Sequence, residues 1–211
     1  MELDRLYEKY GTNKLWHGYG SFYSKLFDAS KNSIQNFLEI GIDTGASLRS
    51  WRDYFPNATV YGIDILYRDP TILEEPRIRC ALADQSDDVQ LKNTMNTWGN
   101  PVFDSIVDDG GHTVKQQRVS IEYFCPFLKP GGYYIVEDLH TNIPNMKFIH
   151  PHLNAQSGHI DETPTIHEKI YYTMSGSKDQ FSFGVADIAE IYYFNTPNKL
   201  SLSCAFKKTE N

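Results

Sequence analysis

Two short stretches of this chain place acids and a histidine where apolar runs end. Val107 to His112 reads VDDGGH, and Ile135 to His140 reads IVEDLH. One acidic pair behind a strand is ordinarily a solvated strand end or a helix cap. Two pairs closing successive strands are a different matter, because neighbouring parallel strands lie about 4.8 Å apart and their ends converge. Asp108, Asp109, Glu137 and Asp138 in so small a space cannot all stay ionised without a cation. Hard oxygen ligands favour Mg2+, Mn2+ or Ca2+ over zinc.

Such a cation lowers the pKa of a hydroxyl bound to it and orients it. A general base then removes the proton. His112 follows Asp109 by three residues, with Gly110 and Gly111 allowing a tight turn, and is the choice of base. His140, three residues after Glu137, is a weaker candidate that could instead line an acceptor pocket. The activated oxygen would attack an electrophilic carbon in line, and most of the work is holding the reactants in one geometry.

A second constellation lies upstream. LEIGIDTGASL, Leu38 to Leu48, follows one apolar run and opens a helix. Gly41 and Gly45 permit close backbone approach to a ligand, and Ser47 lies in the same stretch. The spacing is G-x-x-x-G, not the dinucleotide pattern G-x-G-x-x-G. Glu39 stands inside an otherwise apolar strand, where a carboxylate needs a partner. Asp64 ends the next strand in YGIDI and could accept ribose hydroxyls. Asp84 and Gln85 follow the third strand, and could read an adenine edge or cap the next helix. Together these residues resemble the S-adenosylmethionine (SAM) site of class I methyltransferases. An NAD site is the competing reading, disfavoured because the first loop lacks the glycines that cradle a pyrophosphate.

These residues need a scaffold that gathers strand ends. NFLEIG (36–41), TVYGIDI (59–65), IRCALA (78–83), FDSIVDD (103–109) and YYIVED (133–138) read as strands. ASLRSWRDYF (46–55), DDVQLKNTMNTW (87–98) and KQQRVSIEYFCPFL (115–128) read as helices between them, with Pro126 ending or distorting the last. Continuous apolar strands alternating with amphipathic helices point to a parallel sheet covered on both faces. IAEIYYFNT and LSLSCAFKK flank Pro197 and Asn198 and form a terminal hairpin, so the last strand runs antiparallel. The expected fold class is α/β: a Rossmann-like class I methyltransferase fold, with a seven-stranded, mostly parallel sheet and a C-terminal antiparallel hairpin. Residues 1–33 read as an N-terminal helical cap: a helix, a polar loop from Gly11 to Ser21 and a second helix that Ser21 could cap. KPGG before the fifth strand reads as a turn. Residues 139–165 break the alternation and read as a lid or substrate loop. One domain over 1–211 fits the length.

Composition excludes several classes. The net charge of -7 is a poor footing for sequence-independent nucleic-acid binding. Three cysteines at wide spacing, with no CxxC, suggest neither a disulfide framework nor a thiolate zinc site. The start MELDRLYEKY lacks the apolar stretch of a signal peptide, and no run approaches a membrane span. The expected setting is the cytoplasm, with no nucleic-acid or membrane partner.

DDGGH, followed by PGGYYIVEDLHT, resembles the metal-dependent sugar O-methyltransferases of macrolide tailoring, the mycinamicin and tylosin group. The likeness extends through KYGTNKLWHGYGSFY, FLEIGIDTGASLRSWRDYFPNATVYGIDI, EPRIRCALADQSD and ADIAEIYYFN. It implies methyl transfer from SAM to a hydroxyl of a sugar or glycoconjugate, with Mg2+ as a second cofactor and a small-molecule or saccharide acceptor. At matching positions it implies Asp109, Glu137 and Asp138 as magnesium ligands and His112 as base. The cofactor would be held by the loop with Glu39, Gly41, Gly45 and Ser47, by Asp64, by Asp84 with Gln85, and on the side that Asp108 faces, with Tyr19 closing over it. A homo-oligomer is the family analogy, in line with the aromatic hairpin IYYF. This sequence has Gly111 where the family often has Ser or Asn, and lacks the extra N-terminal domain of the larger macrolide enzymes, so a macrolide acceptor is not implied. Phenolic, catechol-like or phosphoryl acceptors, and a SAM-binding partner protein without activity, are the alternative readings.

Overall fold

The computed structural model describes residues 1–138, 188–197 and 201–210. The expected lid at 139–165, and His140 with it, lie outside the described residues. The strands are β1 (Asn36–Ile40), β2 (Thr59–Asp64), β3 (Ile78–Leu82), β4 (Phe103–Asp108), β5 (Leu128–Val136), β6 (Ile188–Asn195) and β7 (Leu202–Lys208). They form one sheet in the order β3-β2-β1-β4-β5-β7-β6. The first five pair in parallel, and β7 runs antiparallel to both β5 and β6. The helices are α1 (Glu2–Tyr10), α2 (Lys14–His17), α3 (Tyr19–Phe27), α4 (Ala46–Tyr54), α5 (Asp88–Trp98) and α6 (Val114–Phe124). This is the expected α/β sheet with its reversed strand.

Strand alternation sorts the two layers. Successive side chains of a strand point to opposite faces. In β1, Phe37 packs with Tyr7, Tyr23, Phe27, Trp51 and Phe55 from the layer of α1, α3 and α4. Leu38 and Ile40 pack on the other face with Leu91, Met95, Ile121 and Phe124 of α5 and α6. Trp51 sits at the centre of the first layer, its ring 4.8 Å from Tyr23 and 5.0 Å from Phe37, in tilted and edge-on geometries that aromatic rings favour. The N-terminal helices therefore complete the core of the sheet.

Three local expectations are corrected. The polar run Gly11 to Ser21 is mostly helical: Gly11 and Gly18, both at left-handed φ (73° and 74°), close α1 and α2, and α3 begins at Tyr19. Ser21 lies inside α3 and donates to the Gly18 carbonyl at 3.3 Å instead of capping. KPGG belongs to β5, where the register shifts opposite Phe103 and Ser105. A side chain at Gly132 would meet the Asp104 carbonyl oxygen at 2.5 Å, so the glycine lets the bulge close. Pro126 falls in a 3-10 turn, Cys125–Phe127, directly after α6. Cys80, Cys125 and Cys204 form no disulfide.

The end of α4 shows how a loop residue can hold a helix. Arg77 sits at φ 61° and its guanidinium donates to the carbonyls of Arg52 (2.8 Å), Phe55 (3.0 Å) and Ala58 (2.8 Å). These oxygens lie at or beyond the last turn of the helix, where intrahelical donors run out. Arg77→Ala is expected to cost about 1–2 kcal/mol and lower the melting temperature by several degrees, read by circular dichroism. Arg77→Lys should recover only part, since one ammonium cannot span three carbonyls as the guanidinium fork does.

Candidate active site

The ends of β1, β4 and β5 lie side by side, and their face toward the N-terminal helices carries three acids. Glu39 is in register with Val107, and Val107 with Ile135. Two residues further along β4 and β5 on that face come Asp109 and Glu137. Backbone bonds tie these ends together: Asp109 N donates to Ile40 O and Glu137 N to Asp108 O, both at 2.9 Å. Glu39 and Glu137 are fully buried, and Asp109 is partly open to a cavity.

Lys14, which sequence reasoning passed over, meets all three. Its Nζ lies 2.7 Å from Asp109 Oδ2, 2.6 Å from Glu137 Oε1 and 3.4 Å from Glu39 Oε1, and its side chain is 2 % exposed. Burial alone would lower its pKa, but the three carboxylates outweigh this and hold the ammonium well above its usual range. Burial raises the Glu39 and Glu137 carboxyls, and neighbouring Asp109 adds to both. Glu39 Oε2 also accepts from Ser47 Oγ at 2.6 Å, and the Tyr23 hydroxyl donates to Glu137 Oε1. The partner expected for Glu39 is thus a lysine from a polar segment outside the sheet. Its only sequence signal was a cation three residues after Gly11 in GTNK.

On the cavity side, Asp109, His112 and Asp138 bring ligand atoms within 4.8 Å of one another. His112 Nε2 lies 3.8 Å from Asp109 Oδ1 and 3.5 Å from Asp138 Oδ2. His112 and Asp138 both adopt left-handed backbone, φ 58° and 55°, which turns each chain end back toward the site. The structure therefore gathers Asp109, Asp138 and His112 at the cavity, with Glu137 one layer deeper against Lys14.

The cavity, of about 530 Å³, opens over the carboxyl ends of β1, β2 and β4. That volume suits a nucleoside-sized ligand. Gly41, Ser47, Asp64, Asp84, Gln85, Asp109, His112 and Asp138 line it, together with the segment Gly11 to Lys14. Glu39, Gly45, Asp108, Glu137 and Tyr19 are not among its lining residues.

Several of these residues are held by partners within the protein. Asp64 accepts from the backbone amides of Ile42 (2.7 Å), Asp43 (3.0 Å), Ile65 (2.6 Å) and Leu66 (3.3 Å), so its carboxylate clamps the loops after β1 and β2. Buried Gln85 donates to Asp108 Oδ1 at 3.0 Å and Ser120 Oγ at 2.8 Å, and accepts from Gly111 N at 2.7 Å. Burial pushes the Asp108 carboxyl up to about 6. Asp84 accepts from Ser86 N and Oγ, both at 2.8 Å. The cap of α5 is Asp87, bonded to Val89 N and Gln90 N, so neither Asp84 nor Gln85 fills that role. Tyr19 is buried under the site: its hydroxyl bonds Ser201 Oγ (2.9 Å) and Ser203 Oγ (2.6 Å), and its ring lies 5.5 Å from the Lys14 ammonium. The Tyr19 ring thus flanks the ammonium that joins the three acids.

Known proteins are similar to this chain in sequence and fold. The chain is 34% identical over 149 residues to the mycinamicin VI 2''-O-methyltransferase of Micromonospora griseorubida, a match covering 66% of this chain and 36% of that protein. It is 35% identical over 150 residues to the demethylmacrocin O-methyltransferase of Streptomyces fradiae, covering 66% and 37%. Among solved structures, the MycE methyltransferase of the mycinamycin pathway, in complex with Mg, SAH and mycinamycin VI, superposes with a TM-score of 0.72 at 25% identity. That superposition covers 99% of this chain and 54% of MycE. The chain is thus similar, over about two thirds of its length, to macrolide and sugar O-methyltransferases. It carries their class I methyltransferase fold, and it spans about a third of the length of the curated relatives it matches. A putative caffeoyl-CoA O-methyltransferase from Staphylococcus aureus shares the fold alone, at a TM-score of 0.54 and 14% identity. No family model matches the chain.

In this methyltransferase frame the glycines have measurable tasks. Gly41 sits at φ 95°, and a Cβ there would lie 2.1 Å from the Asp109 carbonyl oxygen. The first loop must therefore pass directly against the β4 end that carries Asp109. Gly41→Ala is expected to cost more than about 3 kcal/mol, by overlap with backbone that cannot yield. Gly99→Ala, at φ 82° with nothing near its Cβ, should cost only about 1 kcal/mol. Chemical denaturation of the two variants reads the difference, and equal losses would remove the close-approach argument.

Proposed function

We propose that this chain transfers a methyl group from S-adenosylmethionine to a hydroxyl of a sugar or glycoconjugate, with Mg2+ as its metal. The observation that carries the reading is one cavity whose walls combine the β1 loop, Asp64 and Gln85 with Asp109, His112 and Asp138. A nucleoside ligand and a cation held there would share a boundary, as the transfer requires. The relatives point the same way. The two curated relatives described above are named as O-methyltransferases, and MycE was solved with Mg and SAH.

The residues fit a hard divalent cation. Asp109 and Asp138 offer carboxylate oxygens at the cavity, and Lys14 and Tyr23 both engage Glu137 through Oε1, leaving Oε2 outside those bonds. An ammonium already seated between Asp109 and Glu137 marks this cluster as a place where positive charge is stable. Asp109, Glu137 and Asp138 would hold Mg2+, which when bound would orient the acceptor hydroxyl and favour its ionised form. His112, between Asp109 and Asp138, would take the hydroxyl proton. The Asp64 clamp would keep the loop after β1 in the shape that receives the cofactor, and Gln85, fixed by Asp108 and Ser120, would hold the far wall. Gly41 and Ser47 would flank the methionine part. The oxygen would displace the methyl from the sulfonium, leaving S-adenosylhomocysteine (SAH).

Calorimetry with SAM and SAH is the first test, and absence of binding overturns the reading. Turnover on a panel of glycosides, catechols and phosphorylated alcohols should be confined to the glycosides and stop in EDTA. His112→Ala is expected to lower kcat by about 10²–10⁴-fold with SAH affinity kept. Asp109→Ala should remove the response to Mg2+ while the chain stays folded. Activity that persists undiminished in EDTA would leave the methyl transfer and remove the metal.

A further inference from the structure

Lys14 takes no part in the reaction sketched above, yet its ammonium occupies the inner half of the acid cluster. Its environment there is built. Asp109 and Glu137 each give it one oxygen within 2.7 Å, Glu39 stands at 3.4 Å, and the Tyr19 ring lies 5.5 Å away. Ser47 and Tyr23 hold Glu39 and Glu137 from the sides. The Asp109 carboxylate is thereby divided. Oδ2 faces Lys14, and Oδ1 lies on the side of His112, beside Asp138.

We propose that Lys14 is the fixed inner cation of a two-position acid cluster, filling the place among Glu39, Asp109 and Glu137 Oε1 and so confining an exchangeable divalent cation to the outer place at Asp109 and Asp138, which Glu137 would serve only through Oε2. The inference rests on the divalent-cation reading of the preceding subsection. The physical reason is charge and reach. Three carboxylates on one face of three adjacent strands would draw a divalent ion inward, away from the cavity where an acceptor oxygen can reach it. A tethered single charge neutralises part of the cluster and cannot exchange. Lys14 is in this sense a positioning residue, and it also ties the cavity-lining segment Gly11 to Lys14 to the acids.

Binding of Mn2+, followed by the electron paramagnetic resonance signal of the free ion, tests this in the whole chain without any acceptor. Wild type and Lys14→Arg are expected to bind one Mn2+. Lys14→Met should bind a second, or bind the first at least about tenfold tighter, because a positive charge has left the cluster. Lys14→Gln is titrated in parallel in case the methionine variant fails to fold, and the same gain is expected. A merely structural lysine would weaken Mn2+ binding on removal, so unchanged or weaker Mn2+ binding in Lys14→Gln overturns the proposal. Binding by Lys14→Gln but not by wild type would support the inner position and remove the native metal. Binding by neither would overturn both.

Discussion

One buried ammonium among three carboxylates holds this site together. Moving a carboxylate or an ammonium out of water costs several kcal/mol even after relaxation, and the cost is recovered only where the opposite charges are close and well bonded. Lys14 meets that condition at 2.6 and 2.7 Å, with a third acid at 3.4 Å. Removing one partner from such a set typically costs about 3–5 kcal/mol, because a charge is left buried without its counterpart. The N-terminal helices are therefore fastened to the sheet by more than their aromatic packing. The residue that joins them sits where the chemistry would take place.

The sheet makes this cluster possible through two periodicities. Parallel pairing aligns Glu39, Val107 and Ile135 across β1, β4 and β5, and alternation then puts Asp109 and Glu137 on the same face as Glu39. The neighbouring acids Asp108 and Asp138 fall outside that face. Asp108 goes into the core layer of α5 and α6, where Gln85 meets it, and Asp138 turns to the cavity. Two adjacent acidic pairs thus divide into members with unlike surroundings. Strand alternation separates Asp108 from Asp109 and Glu137, and the left-handed backbone at Asp138 turns that acid to the cavity.

The loops around the cavity are shaped by bonds that consume polar capacity. Asp64 spends its carboxylate on four backbone amides, and Gln85 uses both ends of its amide within the protein. Gly41 admits the Asp109 carbonyl where any side chain would collide, and Gly110 does the same for the Gln85 amide oxygen, 2.0 Å from where a Cβ would stand. These bonds lie within the protein itself, and walls held in this way lower the ordering cost of binding.

Sequence by itself determined the sheet, because apolar strands alternating with amphipathic helices bury only as covered parallel layers, and it located the acids at the strand ends. It also placed Asp109, His112 and Asp138 near one another, since their strands had to be neighbours. The tertiary structure alone decided what lay between sequence-distant groups. Lys14 stands 95 residues from Asp109 and 123 from Glu137, in a polar run whose composition reads as loop. No local pattern encodes a contact of that separation; it arises when the helices close over the sheet and a buried charge must find its opposite. Tyr19 and Asp64 were likewise visible as residues, but their partners were not. A hydroxyl or a carboxylate is satisfied by whichever donor or acceptor the folded chain brings within about 3 Å, and only the fold fixes which one that is.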